Sequence, residues 1–433
     1  METSELHTLF ISSTGVQIDS RTLEPGCLFF ALRGERFDGH RFVDQALDLG
    51  AKAVVVDRPE YANGPNRILV PDVLQALQAL ATYHRRAWGK TVVGLTGSNG
   101  KTTAKELFAR VAGNTLSVWA TQGNLNNHIG VPLTLLQLKP EHDVAIVEMG
   151  ANHQREIHEL AGIARPNLGY ITNYGKAHLE GFGGIEGVIK GKSELYHRLR
   201  EWEGVALVNA DDEEQLRQSD GLNRFFFGEN GTSERALQME YTSLPSDKNG
   251  FAQIEARGTV IHSHLTGTFQ KTHLAAAMAL GQWLNLPADR CAKAIAGYVP
   301  QNNRAEWRET AKNRVLLDAY NANPSSTLAS LQAFAHRSDL QKPMVILGDM
   351  FELGEWAATE HQAILDWLAQ EAPHLDVWTV GAHYAGCKTN GNVQTFPTTD
   401  EAHQALQEAS FAGRTVLIKG SRGMALEALL PAL

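Results

Sequence analysis

A glycine-rich turn between a strand-like segment and a helix-like segment is the feature that most constrains this 433-residue chain. The β-branched run at residues 91–96 leads into the turn, and helical spacing follows at residues 104–111. The turn consists of Gly97, Ser98, Asn99, Gly100, Lys101, Thr102 and Thr103. Glycines let backbone N–H groups point at a phosphate, and the helix N-terminus adds donors and partial positive charge.

The residues at the end of this turn suit a nucleoside triphosphate. Lys101 can reach the β- and γ-phosphates, and the Thr102 hydroxyl can ligate Mg²⁺. The usual GxxxxGK[ST] pattern has a glycine where this chain has Leu95, so the loop is a variant. The alternative is a plain glycine turn that caps a helix. The strand before the turn and the helix after it favour the phosphate loop.

Strand-like and helix-like segments alternate over the rest of the chain. The strand-like runs lie at residues 27–32, 53–56, 144–147, 168–172, 315–317, 344–347, 377–380 and 416–418. Such alternation is typical of parallel sheets covered by helices. We therefore predict an α/β protein of three domains. They are an N-terminal α/β domain at 1–88, a central parallel-sheet domain with the phosphate loop at 89–305, and a C-terminal Rossmann-like α/β domain at 306–433. Runs at 224–227 and 260–264 are expected to be antiparallel strands.

Composition disfavours several classes of protein. Hydrophobic residues make up 43% of the chain and the net charge is −9, so several cores can form and no basic field attracts nucleic acid or an anionic membrane. No apolar run approaches the roughly 20 residues that cross a bilayer, and no signal-peptide pattern is present. Cys27, Cys291 and Cys387 form no CxxC pair. We expect a soluble protein of the reducing cytoplasm.

Three side chains of the central region are candidates for metal chemistry. Glu148 follows the strand at 144–147, and His178 lies in the loop after the strand at 168–172. Ligands bind beyond the carboxyl ends of parallel strands, so both side chains could ligate Mg²⁺ there. The alternatives are that Glu148 caps a helix and that His178 is a hydrogen-bonded loop histidine. Lys192 could be a solvated helix lysine. Alternatively, its neutral amine could react with CO₂ to give a carbamate, an anionic metal ligand.

Together these segments resemble the Mur ligase superfamily of ATP-dependent amide-bond synthetases, over residues 19–422. The family's glutamate is identified as Glu148, its metal-associated histidine as His178, and its carbamylated lysine as Lys192, which is followed by Ser193-Glu194-Leu195-Tyr196. Segments 19–21 and 34–42 resemble the family's UDP-sugar-binding domain, and segment 419–422 resembles its closing motif. Segments 124–132, 318–324 and 348–354 resemble the branch that adds D-alanyl-D-alanine. The chain departs from the family pattern in two places. Asn302-Asn303-Arg304 stands where the family has a Gly-Arg segment, and residues 267–273 stand where it has a Gly-x-His-Asn-x-x-Asn run.

The resemblance implies roles for particular residues. Catalysis would depend on Lys101, Glu148, His178 and Lys192. ATP would be bound by residues 97–103 with His273, Arg304 and Asp318, the last on the ribose. Two Mg²⁺ ions would be held by Thr102 with Glu148 and by His178 with carbamylated Lys192. The UDP-substrate would contact Ser20, Arg21, Asp38, Gly39 and His40. The acceptor dipeptide would contact Tyr320, Asn321 and Asn323.

The reaction implied is ATP-dependent ligation through an acyl phosphate. ATP would phosphorylate the terminal carboxylate of UDP-N-acetylmuramoyl-tripeptide, and the amine of D-alanyl-D-alanine would displace phosphate. The family implies a monomer that closes around its substrates. Alternatives are another Mur-type amino-acid ligase, folylpolyglutamate synthetase, a P-loop GTPase or motor, and a nucleotide-binding protein without ligase activity. The long segment before the phosphate loop disfavours the synthetase, and the absence of an NKxD motif disfavours the GTPase.

Overall fold

The computed structural model describes residues 1–35, 37–233, 235–389, 392–409 and 411–433. Its first region contains the strands β1 (Val16–Gln17), β2 (Leu28–Phe30), β3 (Arg33–Gly34), β4 (Phe37–Asp38), β5 (Ala53–Val56) and β6 (Arg67–Leu69), and the helices α1 (Thr3–Ile11), α2 (Val43–Asp48) and α3 (Val73–Trp88). Four of these strands form a parallel sheet in the order β1-β2-β5-β6. β3 and β4 form a separate antiparallel pair.

The second region is built on a nine-stranded sheet. Its strands are β7 (Thr91–Thr96), β8 (Val118–Ala120), β9 (Val144–Glu148), β10 (Leu168–Ile171), β11 (Val205–Asn209), β12 (Asn223–Glu229), β13 (Met239–Leu244), β14 (Phe251–Ala256) and β15 (Thr259–Thr266). Its helices are α4 (Lys101–Gly113), α5 (Gly130–Leu135), α6 (Glu156–Ala164), α7 (Leu179–Phe182), α8 (Ile185–Glu201), α9 (Glu213–Gln218), α10 (Gln270–Trp283) and α11 (Ala288–Ala296). The strand order is β15-β14-β13-β12-β11-β10-β7-β9-β8.

The third region is a six-stranded sheet with the order β16-β17-β21-β18-β19-β20. Its strands are β16 (Glu306–Glu309), β17 (Arg314–Asp318), β18 (Met344–Gly348), β19 (Asp376–Val380), β20 (Val393–Phe396) and β21 (Thr415–Lys419), and its helices are α12 (Pro324–Ala335), α13 (Ala357–Glu371), α14 (Ala382–Ala385) and α15 (Thr399–Glu408). Only the edge strand β16 among these described strands is antiparallel to its neighbour.

The predicted α/β class with parallel sheets is confirmed, with two local corrections. Residues 224–227 lie in β12, which pairs in parallel with β11 and β13, whereas residues 260–264 do lie in an antiparallel strand, β15. The helix after the phosphate loop begins at Lys101 rather than at residue 104, because Gly100 has a left-handed backbone (φ +76°) and ends the loop. The Lys-Thr-Thr segment therefore forms the first helical turn.

Alternate side chains of the central strands face two different cores. Val92 of β7 packs into one cluster with α6 and α8, while Val93 and Leu95 pack into another with α4 and α10. Both faces of a parallel sheet are buried in this way, which explains why these strands are almost continuously apolar. The polar groups that follow them are left at the open edge where the strands end.

Helix α3 holds the first and second regions together. Asp72 caps its N-terminus by accepting a hydrogen bond from Gln75 N at 2.8 Å, and Gly89 ends it with φ +71°. Its buried Arg85 donates to Ala164 O at 3.0 Å and to the Asn167 side chain at 2.9 Å. α3 also shares an apolar cluster with side chains of the first sheet, and it contacts α5 and α6 of the second region. In the part of the chain that is described, no helix is long and apolar enough to cross a membrane.

Candidate active site

The phosphate loop lies at the carboxyl end of β7 and needs glycine at two positions. A Cβ on Gly97 (φ +140°) would lie 2.0 Å from Oγ1 of Thr172, the residue that follows β10, and a Cβ on Gly100 would lie 2.1 Å from His273 Nε2. The Lys101 amine folds back over the loop and donates to Gly97 O at 2.7 Å. Burial lowers the pKa of Lys101, and the nearby Glu148 carboxylate opposes this shift.

Thr102 and Glu148 meet beside this loop, as the sequence predicted. The Thr102 hydroxyl lies 3.1 Å from Glu148 Oε2, and Asn126 Nδ2 donates to Glu148 Oε1 at 2.9 Å. Glu148 ends β9, next to β7, and is 2% exposed. A hydroxyl and a carboxylate are oxygen donors of the kind that Mg²⁺ takes together with water and substrate phosphates. These two residues therefore fit a Mg²⁺ ion bound to a nucleotide.

His178 and Lys192 do not join this pair. His178, with a left-handed backbone (φ +53°), lies 2.6 Å through Nδ1 from Glu352 in the loop after β18, and this contact lowers the pKa of Glu352. Lys192 is fully buried on α8, donates to Ala151 O at 3.0 Å and lies 4.8 Å from the Phe182 ring centre. The described residues contain no cluster of three or more His, Cys, Asp or Glu arranged for a metal.

Lys192 is therefore not the solvated helix lysine that one interpretation of the sequence allowed. Burial lowers its pKa well below the usual value, and the charge of Lys101 adds to this effect. A neutral amine is the form that the structure favours at this position. Among the described residues, Lys192 is not one of those that line the cavity next to the phosphate loop.

That cavity has a volume of about 1060 Å³ and is lined from both the second and the third region. The side of the second region supplies the phosphate loop, Glu148, His178 and His273, and the third region supplies Asp318, Tyr320, Asn321 and Asn323. Arg304, from the segment that joins the two regions, also lines it. The carboxyl ends of two parallel sheets thus face one another across a common space, which is where open α/β sheets bind ligands.

The residues expected to contact the nucleotide differ in their burial and in their protein partners. His273 is buried beside Gly100, and burial lowers its pKa to about 4, so its imidazole is neutral. The Arg304 guanidinium lies 3.6 Å from the centre of the Tyr320 ring. Asp318 already accepts hydrogen bonds from Ser330 Oγ at 2.6 Å and Lys419 Nζ at 2.8 Å. Lys419 was not predicted as a partner of Asp318, although it lies in the closing motif at 419–422.

Asn323, expected in the acceptor pocket, has two structural contacts. Its Oδ1 accepts from Ser326 N at 2.9 Å and caps α12, which then begins with Pro324. Its Nδ2 donates to Asn99 Oδ1 in the phosphate loop at 2.7 Å. Tyr320 and Asn321 line the cavity as expected. Asn323 therefore joins the third region to the phosphate loop.

Further contacts hold the two sides of the cavity together. Lys176 N donates to Ser325 Oγ at 2.9 Å, and the Lys176 amine lies 2.6 Å from Glu360 Oε1. Glu180 N donates to Glu352 O at 3.1 Å. The third region therefore contacts the second through the loop that follows β10 and through α7. Glu352 lies in the 348–354 segment singled out from sequence, but the contacts of Glu352 and Glu360 with the second region were not predicted, because their partners are far away along the chain.

The residues expected to contact a UDP-substrate lie apart from this cavity, at the end of the first sheet. The buried ring of His40 lies 2.9 Å from Asp38 Oδ1 and 3.2 Å from Asp57 Oδ1, so both of its nitrogens have protein partners. Gly39 is required because a Cβ would lie 2.7 Å from Leu32 O. Ser20 is buried, and the exposed Arg21 pairs with Asp19 and lowers the pKa of that carboxyl to about 2. Arg36, in the predicted 34–42 motif, lies outside the described residues.

Comparison with known proteins identifies the family. The Mur ligase family, catalytic domain, model matches residues 12–85, the Mur ligase middle domain model matches 95–281, and the Mur ligase, glutamate ligase domain, model matches 303–422.

Similar proteins include the UDP-N-acetylmuramoyl-tripeptide–D-alanyl-D-alanine ligases of Escherichia coli and Bacillus subtilis. The Escherichia coli protein is 36% identical over 99% of this chain and 95% of its own length. The Bacillus subtilis protein is 35% identical over 96% of this chain and 92% of its own length. A crystal structure of MurF from Acinetobacter baumannii matches with a TM-score of 0.85 and 29% identity, over 97% of this chain and 96% of that one. The structure of MurF ligase from Thermotoga maritima in complex with ADP matches with a TM-score of 0.84 and 27% identity, over 98% of this chain and 97% of that one. This chain belongs to the Mur ligase family.

Proposed function

We propose that this chain is an ATP-dependent ligase that joins D-alanyl-D-alanine to UDP-N-acetylmuramoyl-tripeptide, with ADP and phosphate as the other products. The observation that carries the proposal is the shared cavity, in which a phosphate loop on one side faces Tyr320 and Asn321 on the other. Relatives that bear this activity in their names match the chain over nearly its whole length, which supports the same choice of substrates.

The reaction begins when a carboxylate oxygen of the tripeptide attacks the γ-phosphorus of ATP and ADP leaves. The dipeptide amine then attacks the acyl phosphate carbon, loses a proton, and phosphate leaves. The main difficulty is that a carboxylate has to approach a triphosphate. Lys101 and the N–H groups at the start of α4 counter this repulsion, because they are oriented before the substrates bind. Mg²⁺ held by Thr102 and Glu148 would neutralise further phosphate charge.

Arg304, Asp318 and His273 complete the proposed nucleotide site. Arg304 adds positive charge next to the loop, and its field adds to the effect of burial, which lowers the pKa of Lys101. Asp318 is held by Lys419 and Ser330, so its carboxylate has a fixed orientation for a ribose hydroxyl. His273 closes the loop from behind as a neutral ring. Water would otherwise hydrolyse the acyl phosphate, so the contacts across the cavity also serve to exclude it.

The carbamate on Lys192, and the second Mg²⁺ that it would hold with His178, stay predictions. A buried amine with a lowered pKa is the form that reacts with CO₂, which supports the modification. A carbamate would have to replace the contacts with Ala151 O and the Phe182 ring. Labelled bicarbonate should give a carbamate carbon resonance that Lys192→Met removes. Full ligase activity in CO₂-free buffer without that resonance would rule the modification out.

Three further parts of the proposal concern the whole molecule. The domain boundaries at 1–88, 89–305 and 306–433 are proposed because each range contains one main sheet. The first domain would bind the UDP-substrate at the end of its sheet, near Ser20, Arg21, Asp38, Gly39 and His40. His40 would position Asp38 there instead of touching the ligand. We further propose a monomer that acts in the cytoplasm on peptidoglycan precursors, where ATP and nucleotide-linked sugars are present.

The deciding experiment measures phosphate release with ATP, Mg²⁺, UDP-N-acetylmuramoyl-tripeptide and D-alanyl-D-alanine. We expect release that depends on the dipeptide and a new amide product by mass spectrometry. Lys101→Ala should lower kcat at least a hundredfold, because a single preorganised donor contributes about 3 kcal/mol to the transition state. The exposed Lys139 serves as the matched control, and Lys139→Ala should leave kcat unchanged. Phosphate release without an amide product would contradict the ligase assignment.

A further inference from the structure

Most cations at the carboxyl edge of the third sheet already have a carboxylate partner. Lys419 lies 2.8 Å from Asp318, and it also donates to Asn321 O at 3.2 Å. Lys176, which reaches this edge from the second region, lies 2.6 Å from Glu360. His178 likewise contacts Glu352. The two lysines are thus neutralised within the protein, and the His178 ring is already in contact with Glu352.

Arg304 and Arg422 are different. Their guanidinium carbons lie 3.6 Å and 5.1 Å from the centre of the Tyr320 ring. Within the described ranges, neither side chain forms an ion pair or a hydrogen bond. Arg304 is close enough to Lys101 to influence its ammonium group, so it belongs to the phosphate side of the cavity. Arg422 does not line the cavity itself, but it lies beside Tyr320, which does, and within the described ranges no protein anion neutralises it.

The backbone around Arg422 is firmly held although its side chain is exposed. Ser421 N donates to Asp349 O at 3.1 Å, and Phe351 N donates to Ser421 Oγ at 2.8 Å. The Phe351 ring packs so closely on Gly423 that a Cβ there would come within 2.8 Å of it, and the ring is still 39% exposed. The backbone that carries the Arg422 cation is therefore fixed, and the exposed Phe351 ring lies against the next residue, Gly423.

We propose that Arg422 binds the terminal carboxylate of the acceptor dipeptide, with Phe351 against the side chain of its last residue. This inference rests on the proposed function. The dipeptide carries its carboxylate at the end opposite to the reacting amine. A cation for that carboxylate must therefore stand away from the phosphate loop, because Lys101 would otherwise attract the wrong end of the substrate. A guanidinium can hold a carboxylate through two parallel hydrogen bonds, which fixes orientation as well as position.

The test compares two acceptors, D-alanyl-D-alanine and its terminal amide, in the full-length enzyme. The parent enzyme should prefer the acid by about ten- to a hundredfold in kcat/KM, the range for a hydrogen bond to a charged group. Arg422→Gln should abolish this preference by raising the KM for the acid, while the KM values for ATP and the tripeptide substrate stay constant. Arg422→Lys should restore part of the preference. The control is Arg290→Gln, a change at an exposed position on α11.

Each other outcome overturns the inference in a recognisable way. If Arg422→Gln keeps the preference for the acid, the carboxylate is bound elsewhere although the ligase function stands. If the variant raises the KM for ATP instead, Arg422 serves the nucleotide. If the parent enzyme ligates neither acceptor, the proposed function itself fails and the inference fails with it.

Discussion

The hydrogen bond between Asn323 and Asn99 should couple the third region of the chain to the phosphate loop. Asn323 has two tasks that a substitution can separate. Its Oδ1 caps α12 through Ser326 N, and its Nδ2 donates to Asn99 Oδ1 at 2.7 Å. Serine is an equally good N-cap residue but is too short to reach Asn99. Asn323→Ser therefore removes only the bridge, and Asn323→Ala removes both contacts.

The expected magnitudes follow from these contacts. Loss of a neutral hydrogen bond costs about 1 kcal/mol, and loss of the cap costs about 1 kcal/mol more. Asn323→Ala should thus lower the free energy of unfolding by about 2 kcal/mol, and Asn323→Ser by about half as much. Because Asn99 belongs to the loop that would hold the triphosphate, the missing bridge should also weaken ATP binding by about two- to tenfold.

A double-mutant cycle with Asn99→Ala provides the assay. Urea unfolding and ATP affinity are measured for Asn323→Ser, Asn99→Ala and the double variant. Residues in direct contact should show a coupling energy of about 0.5–1.5 kcal/mol, so the double variant should lose less than the sum of the single losses. Strictly additive losses would refute the bridge. Equal unfolding energies for Asn323→Ser and Asn323→Ala would refute the separate contribution of the cap.

Three other predictions follow from buried groups. Gly100→Ala should abolish the rise in melting temperature that ADP causes, since its Cβ would lie 2.1 Å from His273 Nε2; a normal rise would contradict the geometry. Burial lowers the pKa of His273 to about 4, so the unfolded state binds more protons and stability should fall as the pH drops from about 6.5 to 4, by about 3 kcal/mol at most. His273→Gln should flatten that part of the pH profile of urea unfolding, and an unchanged profile would exclude this origin. Arg85→Ala should lower the free energy of unfolding by about 3 kcal/mol, because it leaves buried acceptors without donors. Arg86→Ala, at an exposed position, should lower it little, and equal losses in the two variants would contradict the assigned contacts.

The sequence was sufficient for the local parts of the fold. The strand, turn and helix around Gly97–Lys101 were predicted because glycine conformation and apolar periodicity act over a few residues. The same reasoning failed for residues 224–227, which form a parallel strand, because strand direction depends on a partner elsewhere in the chain. The helix start was also misplaced by three residues, since the first turn of α4 is part of the phosphate motif.

Individual side chains of the site were harder to predict than the fold. Glu148 meets Thr102 as expected, because Glu148 ends β9 and Thr102 lies just beyond the end of the neighbouring strand β7. Lys192 could be assigned to a helix from sequence, but only packing against Phe182 and Ala151 decides that it is buried. His40 lies in a recognisable motif, yet its two nitrogens are taken by Asp38 and Asp57. Burial depends on elements that the pattern around a residue does not describe.

By itself, the sequence determined a glycine-rich turn between a strand and a helix, the alternation of strands and helices, and an acidic chain with several cores, because each of these depends on neighbouring residues or on overall composition. Only the tertiary structure decided that Asn323 contacts Asn99 across 224 positions of sequence, and that Lys419 rather than Arg422 neutralises Asp318. The physical reason is that such contacts depend on how separate sheets pack. That arrangement is set by the sum of many distant interactions and leaves no local pattern.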